Sequence, residues 1–273
     1  MSGVLLRLAA FLALLAVLTP PCAQADEADE LWHSLVQDIF NNRTINDGSN
    51  VIAIEMPARA EDAGIVPFTL RSKIPGTGPL RIRSVSLVID HNPAPLAAKF
   101  EFGPRALISE ISGRVRVNSY TDVHAVAELS DGQLYMSKIF VKASGGCSAP
   151  AQKNLEQARN QLGEMRYRQF GAPAAPSPGQ SREAQIMIRH PNNSGLQMDQ
   201  LTQLYIPPFF INELRLWQDD DLLFTMEGGI SISEDPNFRF TYVWNGARHF
   251  RAEAKDTEHH VFHNEWPITD NPQ

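Results

Sequence analysis

The sequence predicts a mainly β fold, with two β-sandwiches in one chain. Three observations predict it. Short stretches alternate apolar and polar residues with period two; they fall in two runs, one on each side of a Pro/Gly/Ala-rich segment at residues 171–180; and helical periodicity is confined to two places.

The chain opens with Arg7, an apolar run from Leu8 to Leu18 and the small residues Ala23-Gln24-Ala25, the pattern of a signal peptide over residues 1–25. The run is too short for a membrane span and acidic residues follow it at once, so secretion without a membrane span is expected. Pro20 and Pro21 argue against a lipid on Cys22. The segment "DEADELWHSLVQDIFNN" then repeats Leu31, Leu35 and Ile39 every four residues beside Trp32, Val36 and Phe40, which predicts an amphipathic helix.

Period two follows. "RSVSLVID" sets Val85, Leu87 and Ile89 on one face, and "GRVRVNSY" alternates Arg114 and Arg116 with Val115 and Val117. "VHAVAEL" and "QLYMSKIFVKA" flank Ser130-Asp131-Gly132, a hairpin signal. After Cys147 the stripe Leu155, Ala158, Leu162, Met165 predicts a helix, with Ser148 as cap and Pro150 in its first turn. "GAPAAPSPGQ" reads as a linker. Beyond it "AQIMIRH", "FFINELRLWQ", "DLLFTMEGGISIS" and "NFRFTYVWN" predict four more strands, with turns at Asp219-Asp220-Asp221 and Asp235-Pro236-Asn237. The expected organisation is therefore a leader over 1–25, a first domain over 26–170, a linker over 171–180 and a second domain over 181–273.

With 31 Asp and Glu against 24 Lys and Arg, a net charge of −7 and no basic cluster, the chain offers nothing to follow a phosphate backbone, and nucleic acid is excluded as a partner. Cleavage of the leader would leave Cys147 as the single thiol of a secreted protein, with no second cysteine for an intramolecular disulfide. A free cysteine is commonly a small buried hydrophobe. Its neighbours in "SGGCSAPAQ" provide no apolar shell, and Gly145 and Gly146 favour a mobile backbone, so the expectation is an exposed thiol whose ionisation a following helix N-terminus promotes. Cys147 has no Cys-x-x-Cys partner and no designated base, which favours a covalent carrier over an enzyme.

Other groups have plainer readings. His259, His260 and His263 form the one dense histidine group, and on a helix or a strand His259 and His263 would face the same way; their polar neighbours suit a solvated terminal strand better than a metal site. Asp219-Asp220-Asp221 lacks the glycine and the glutamate of a calcium loop and suits a hairpin turn. Phe238, Phe240, Tyr242 and Trp244 read as sandwich core. Arg114 and Arg116 read as the coat of a solvated face, or as groups able to meet an anionic adduct. No cofactor site is predicted.

"NVIAIEMPARAEDAGIVPFTL", "VIDHNPAPLAAKFEF" and "SDGQLYMSKIFVKASGGC" resemble SoxY, the periplasmic carrier subunit of thiosulfate-oxidising systems; "YIPPFFINELRLWQDDDLLF" and "GGISISEDPNFRFTYVW" resemble its partner SoxZ. The chain thus resembles a SoxY–SoxZ fusion. The resemblance implies two immunoglobulin-like sandwiches packed together, residues 171–180 as the tether between them, and Cys147 holding a sulfur intermediate on an arm made flexible by Gly145 and Gly146. It also implies partner enzymes that work on the cargo: a haem-containing SoxAX-like cytochrome, a thiosulfohydrolase and a sulfane dehydrogenase. SoxY itself ends at Gly-Gly-Cys-Gly-Gly, whereas here Ser148-Ala149-Pro150 continue the chain, so the arm is anchored at both ends. Such fused relatives resemble the SoxYZ-like carriers associated with quinoprotein (PQQ) dehydrogenases. Two functional expectations follow: a periplasmic carrier with covalent cargo, or an accessory protein of such a dehydrogenase with no cargo.

Overall fold

The computed structural model describes residues 22–76, 78–150, 160–170 and 177–268. Residues 1–43 and 44–273 form two separate units. In the first, helix α1 spans Cys22–Phe40 and starts a few residues before the predicted one. It stops because Asn41 and Asn42 turn left-handed, with φ of 53° and 57°. The Asn41 N–H donates to the Gln37 carbonyl at 3.1 Å and the Asn42 N–H to the Val36 carbonyl at 3.3 Å, which satisfies two of the last carbonyls.

The described residues of the second unit are mainly strands. Its strands are β1 (Ile45–Asp47), β2 (Ile52–Glu55), β3 (Val66–Ser72), β4 (Ile82–Ile89), β5 (Leu96–Phe102), β6 (Ile108–Val115), β7 (Thr121–Leu129), β8 (Leu134–Val141), β9 (Met165–Phe170), β10 (Ser181–Ile188), β11 (Ile211–Gln218), β12 (Asp221–Gly228), β13 (Asn237–Val243), β14 (His249–Asp256) and β15 (Val261–Pro267). The predicted turns are in place. Gly132, at φ +83°, closes β7 onto β8, and Asp219, at φ 46°, opens the two-residue turn between β11 and β12. Val85, Leu87 and Ile89 are all buried, as the alternation requires.

The strands form a nine-stranded sheet, in the order β1-β8-β7-β4-β5-β12-β11-β14-β15, and a six-stranded sheet, in the order β2-β3-β6-β13-β10-β9. Both sheets run through both halves of the chain. In one, β5 pairs antiparallel with β12, setting Phe100 opposite Met226. In the other, β6 pairs antiparallel with β13, setting Ile111 opposite Phe240. Each half therefore finishes the other's sheet edges, which would otherwise present unpaired backbone groups.

The core is continuous across this join. Phe100 of β5 lies 6.4 Å from Phe68 of the first half and 6.1 and 5.8 Å from Phe224 and Phe238 of the second, tilted or edge-on as aromatic pairs prefer. Phe238, Phe240 and Tyr242 are buried, as the aromatic stripe predicts, and Trp244 is half-buried.

Two expectations concern the connections. Strand β9, N-terminal to the segment read as a linker, pairs antiparallel with β10, with Phe170 opposite Glu183. The strands that flank residues 171–180 are therefore paired with each other in one sheet; 171–176 lie outside the described residues. The passage between the halves is the stretch after Cys147. The predicted helix there falls mostly on 151–159, also outside the described residues, and Met165 of its stripe begins strand β9.

Candidate functional site

Cys147 sits in a single 3₁₀ turn, Gly146–Ser148, after β8. Its backbone is held from both sides of the join. From the first half, the Gly145 N–H donates to the Asn118 carbonyl at 2.7 Å and the Gly146 N–H to the Val117 carbonyl at 3.1 Å. From the second, Ser194 Oγ donates to the Cys147 carbonyl at 2.5 Å and Gln197 Nε2 to the Ala149 carbonyl at 3.0 Å. Ser194 and Gln197 are themselves joined, the Ser194 N–H donating to Gln197 Oε1 at 3.0 Å, and both are buried. A polar clasp from the second half thus fastens the segment.

The glycines serve this docking. Gly145 takes a φ of +77°, open to glycine at no steric cost. At Gly146 a Cβ would stand 2.0 Å from the Ala63 carbonyl oxygen and 2.6 Å from that of Val117, so only glycine lets the turn lie against the backbone of the first half. A Gly146→Ala substitution is expected to cost about 1–3 kcal/mol of docking through overpacking. Labelling of Cys147 by a soluble disulfide reagent should then run at least about tenfold faster than in the parent chain; an unchanged rate would mean that the turn is not what shields the thiol.

The thiol itself corrects the sequence-based expectation. Cys147 is 0 % exposed. Burial pushes its pKa from 9.0 up to about 11, with the Arg116 guanidinium opposing the rise. The expectation failed because the residues adjacent in sequence do not form the shell; distant segments do. Ser144 and Ser148 are exposed as the local composition suggests, but Gly146 and Cys147 between them are buried against residues 63, 116–118 and 194–197.

Arg116 is the second correction. It does not coat a solvated face but is 2 % exposed. Its Nη1 donates to the Ile232 carbonyl and, at 3.4 Å, to that of Ile230. Its backbone N–H donates to the Ser231 carbonyl at 2.7 Å. Burial lowers its pKa, and Cys147 and Glu234 both oppose the fall. Glu234 is its counterpart: burial raises the carboxyl's pKa while Arg116 and Arg114 hold it down. Asn92 fixes the geometry, donating to the Arg116 carbonyl and to Ser231 Oγ, each at 2.8 Å, and accepting from the Asn118 N–H at 2.8 Å. The site is a neutral thiol beside a buried cation, an arrangement that favours any anion formed on the sulfur over the same anion without Arg116.

Sequence reasoning did not single out Ser194, Gln197, Asn92 or Glu234. The run "HPNNSGLQ" holds five buried polar residues, His190, Asn192, Asn193, Ser194 and Gln197, in a composition that reads as an exposed loop. No local periodicity marks it.

The histidine group is divided. His259 lies in the turn before β15 at φ 68°, outside the strand, so it does not share a face with His263. His260 Nδ1 lies 2.8 Å from the Asp256 carboxylate, whose Oδ2 is also 3.5 Å from Nε2 of the buried His190. His259 and His263 are exposed.

Comparison with known proteins gives the following. Residues 36–147 match the family model of the sulfur oxidation protein SoxY, and the match ends on Cys147. Residues 170–267 match that of the sulphur oxidation protein SoxZ. No curated protein matches the chain. Among solved structures, the sulfur carrier protein SoxY from Chlorobium limicola f thiosulfatophilum aligns at 25 % identity over 44 % of this chain and 98 % of its own, with a TM-score of 0.37. A candidate superoxide reductase from Thermotoga maritima aligns at 16 % identity over 38 % of this chain and 96 % of its own, with a TM-score of 0.32.

Proposed function

We propose, for a chain that joins a SoxY domain to a SoxZ domain and so belongs with the sulfur-oxidation carriers, that Cys147 holds a sulfur-containing intermediate covalently and presents it to partner enzymes in the periplasm. The observation that carries this reading is the position of Cys147. It is the last residue of the SoxY match, and it is clasped by the SoxZ half at the join of the two. Loading by thiosulfate would make a sulfur–sulfur bond: Cys–SH + S₂O₃²⁻ → Cys–S–SSO₃⁻ + H⁺ + 2e⁻. The two electrons leave to an oxidising partner, for which a SoxAX-like cytochrome or a quinoprotein dehydrogenase is the class expected. A thiosulfohydrolase is the class that would remove the terminal sulfonate. The chain itself acts as carrier rather than catalyst.

A thiol that is fully buried cannot meet a partner's active site where it lies. Carriage therefore requires the turn at Gly146–Ser148 to leave its seat, breaking the Ser194 and Gln197 hydrogen bonds. Because residues on both sides of Cys147 continue into folded chain, the motion is a local opening rather than the swing of a free end.

The same burial favours a second reading, in which the cysteine is structural and the chain is a cargo-free accessory protein of a periplasmic quinoprotein dehydrogenase. Intact mass spectrometry on protein taken directly from cells separates the two. Carriage predicts a discrete mass increment on the parent chain that a reductant removes and that the folded Cys147→Ser variant never shows. If increments persist on Cys147→Ser, or the parent carries none under sulfur-oxidising growth, the accessory reading stands instead.

A further inference from the structure

The join of the two halves also bears a partly open cavity of about 230 Å³, lined by Arg114, Glu164, Arg166, Met187, Ile188, Arg189, Asp235 and Asn237. Three guanidinium groups reach it, one from β6 of the first half and two from the second, in a chain whose overall charge is −7. Arg189 is oriented by Asp235, whose Oδ2 accepts from its Nη1 at 2.5 Å and whose Oδ1 accepts from the His190 N–H at 3.1 Å. The Asp235 carboxylate is thus engaged by protein donors. Arg114 donates from Nη2 to the Asp235 carbonyl at 3.0 Å, while its Nε is buried and has no hydrogen-bond partner. The Arg166 side chain is exposed and makes no ion pair or hydrogen bond with the described residues. A fixed arginine, a second with an unused buried donor and a third that is free converge on one cavity.

Forked N–H donors of this kind match the oxygens of tetrahedral oxyanions, often two at a time. The volume is below the range of pockets for drug-sized molecules and suits a small ion with its water. We infer that this cavity is a non-covalent binding site for a small divalent oxyanion of the sulfate and thiosulfate type. Arg114, which lines the cavity, and Arg116, which acts on Cys147, are two residues apart in the chain, and both act on Glu234. The inference does not depend on covalent carriage. It adds a place at the join of the two halves where an oxyanion is held without a covalent bond.

Isothermal titration of the full-length Cys147→Ser chain tests it, since no covalent adduct can form there. Sodium sulfate and sodium thiosulfate are titrated separately, against sodium chloride at matched ionic strength. Saturable binding with a dissociation constant on the order of a millimolar is expected, weakened about tenfold in Arg166→Ala, at an exposed position, and in Arg189→Ala. Equal binding of both ions identifies a general oxyanion site; tighter thiosulfate binding identifies one that also reads the sulfane sulfur. Either supports the inference. Heats no different from chloride up to tens of millimolar, or binding untouched by both arginine variants, would overturn it. Because the thiol is absent, that failure leaves covalent loading to be judged by mass alone.

Discussion

Phe100→Ala is expected to destabilise both halves of the β unit together, by about 3–5 kcal/mol. The side chain is fully buried and touches aromatic rings of two strands from the second half and one from the first. Its removal leaves a cavity at the join itself, and the strand that bears it, β5, is also the one that pairs with β12. Thermal or urea unfolding followed by tryptophan fluorescence and by far-ultraviolet circular dichroism reads this out. The described tryptophans of the β unit, Trp217, Trp244 and Trp266, all lie in the second half. A substitution in the first half should therefore shift the tryptophan transition as far as the dichroism transition. If the tryptophan signal keeps its parent midpoint while dichroism shows an earlier separate step, the halves are independent sandwiches and the shared core does not couple them.

Cys147 should react with iodoacetamide at pH 7 at least about a hundredfold more slowly in the native chain than in urea. With a pKa of about 11 instead of 9.0, the thiolate fraction falls by about that factor before any steric shielding is counted. The pH profile distinguishes how the reaction occurs. If the docked thiol reacts directly, the rate climbs about tenfold per pH unit until near 11. If it reacts only after the turn has opened and opening limits the rate, the rate is independent of pH and of iodoacetamide concentration; opening in rapid equilibrium gives the same climb to near 11, because the docked population still holds the proton. Native and unfolded rates that coincide at pH 7 would show that the thiol is not sealed at all. Stability carries the matching sign. The folded chain holds the thiol proton more tightly than the unfolded one, so this group's contribution is complete below pH 9. It is lost as pH rises toward 11, by up to about 3 kcal/mol if the turn stays docked.

Much of the β architecture is legible from local pattern. The alternation in "RSVSLVID" places Val85, Leu87 and Ile89 in the core because a strand's side chains can only alternate, and Gly132 and Asp219 mark turns because those backbones need residues tolerant of positive φ. The same reasoning misplaces Arg116. It alternates correctly with Val115 and Val117, but the face it points to is covered by residues 230–232 instead of water. The segment 171–180 has the composition of a linker, and composition says nothing of which strands flank it; that β9 and β10 on its two sides pair with each other is visible only in the sheet.

The sequence alone determined that this chain would be rich in short strands, that it would fall into a SoxY-like and a SoxZ-like half, and that one cysteine would stand at the end of the first. Those features depend on side-chain period, turn chemistry and residue identity, all of which are local. The tertiary structure decided that the halves share both sheets, that the thiol lies under a Ser194–Gln197 clasp beside Arg116, and that three arginines meet at one cavity. Each of these joins segments tens of residues apart, and burial is a property of which segments meet: the water that a glycine-rich turn would have faced was displaced by the backbone of Ala63, Val117 and Asn118 and by the side chains of Ser194 and Gln197.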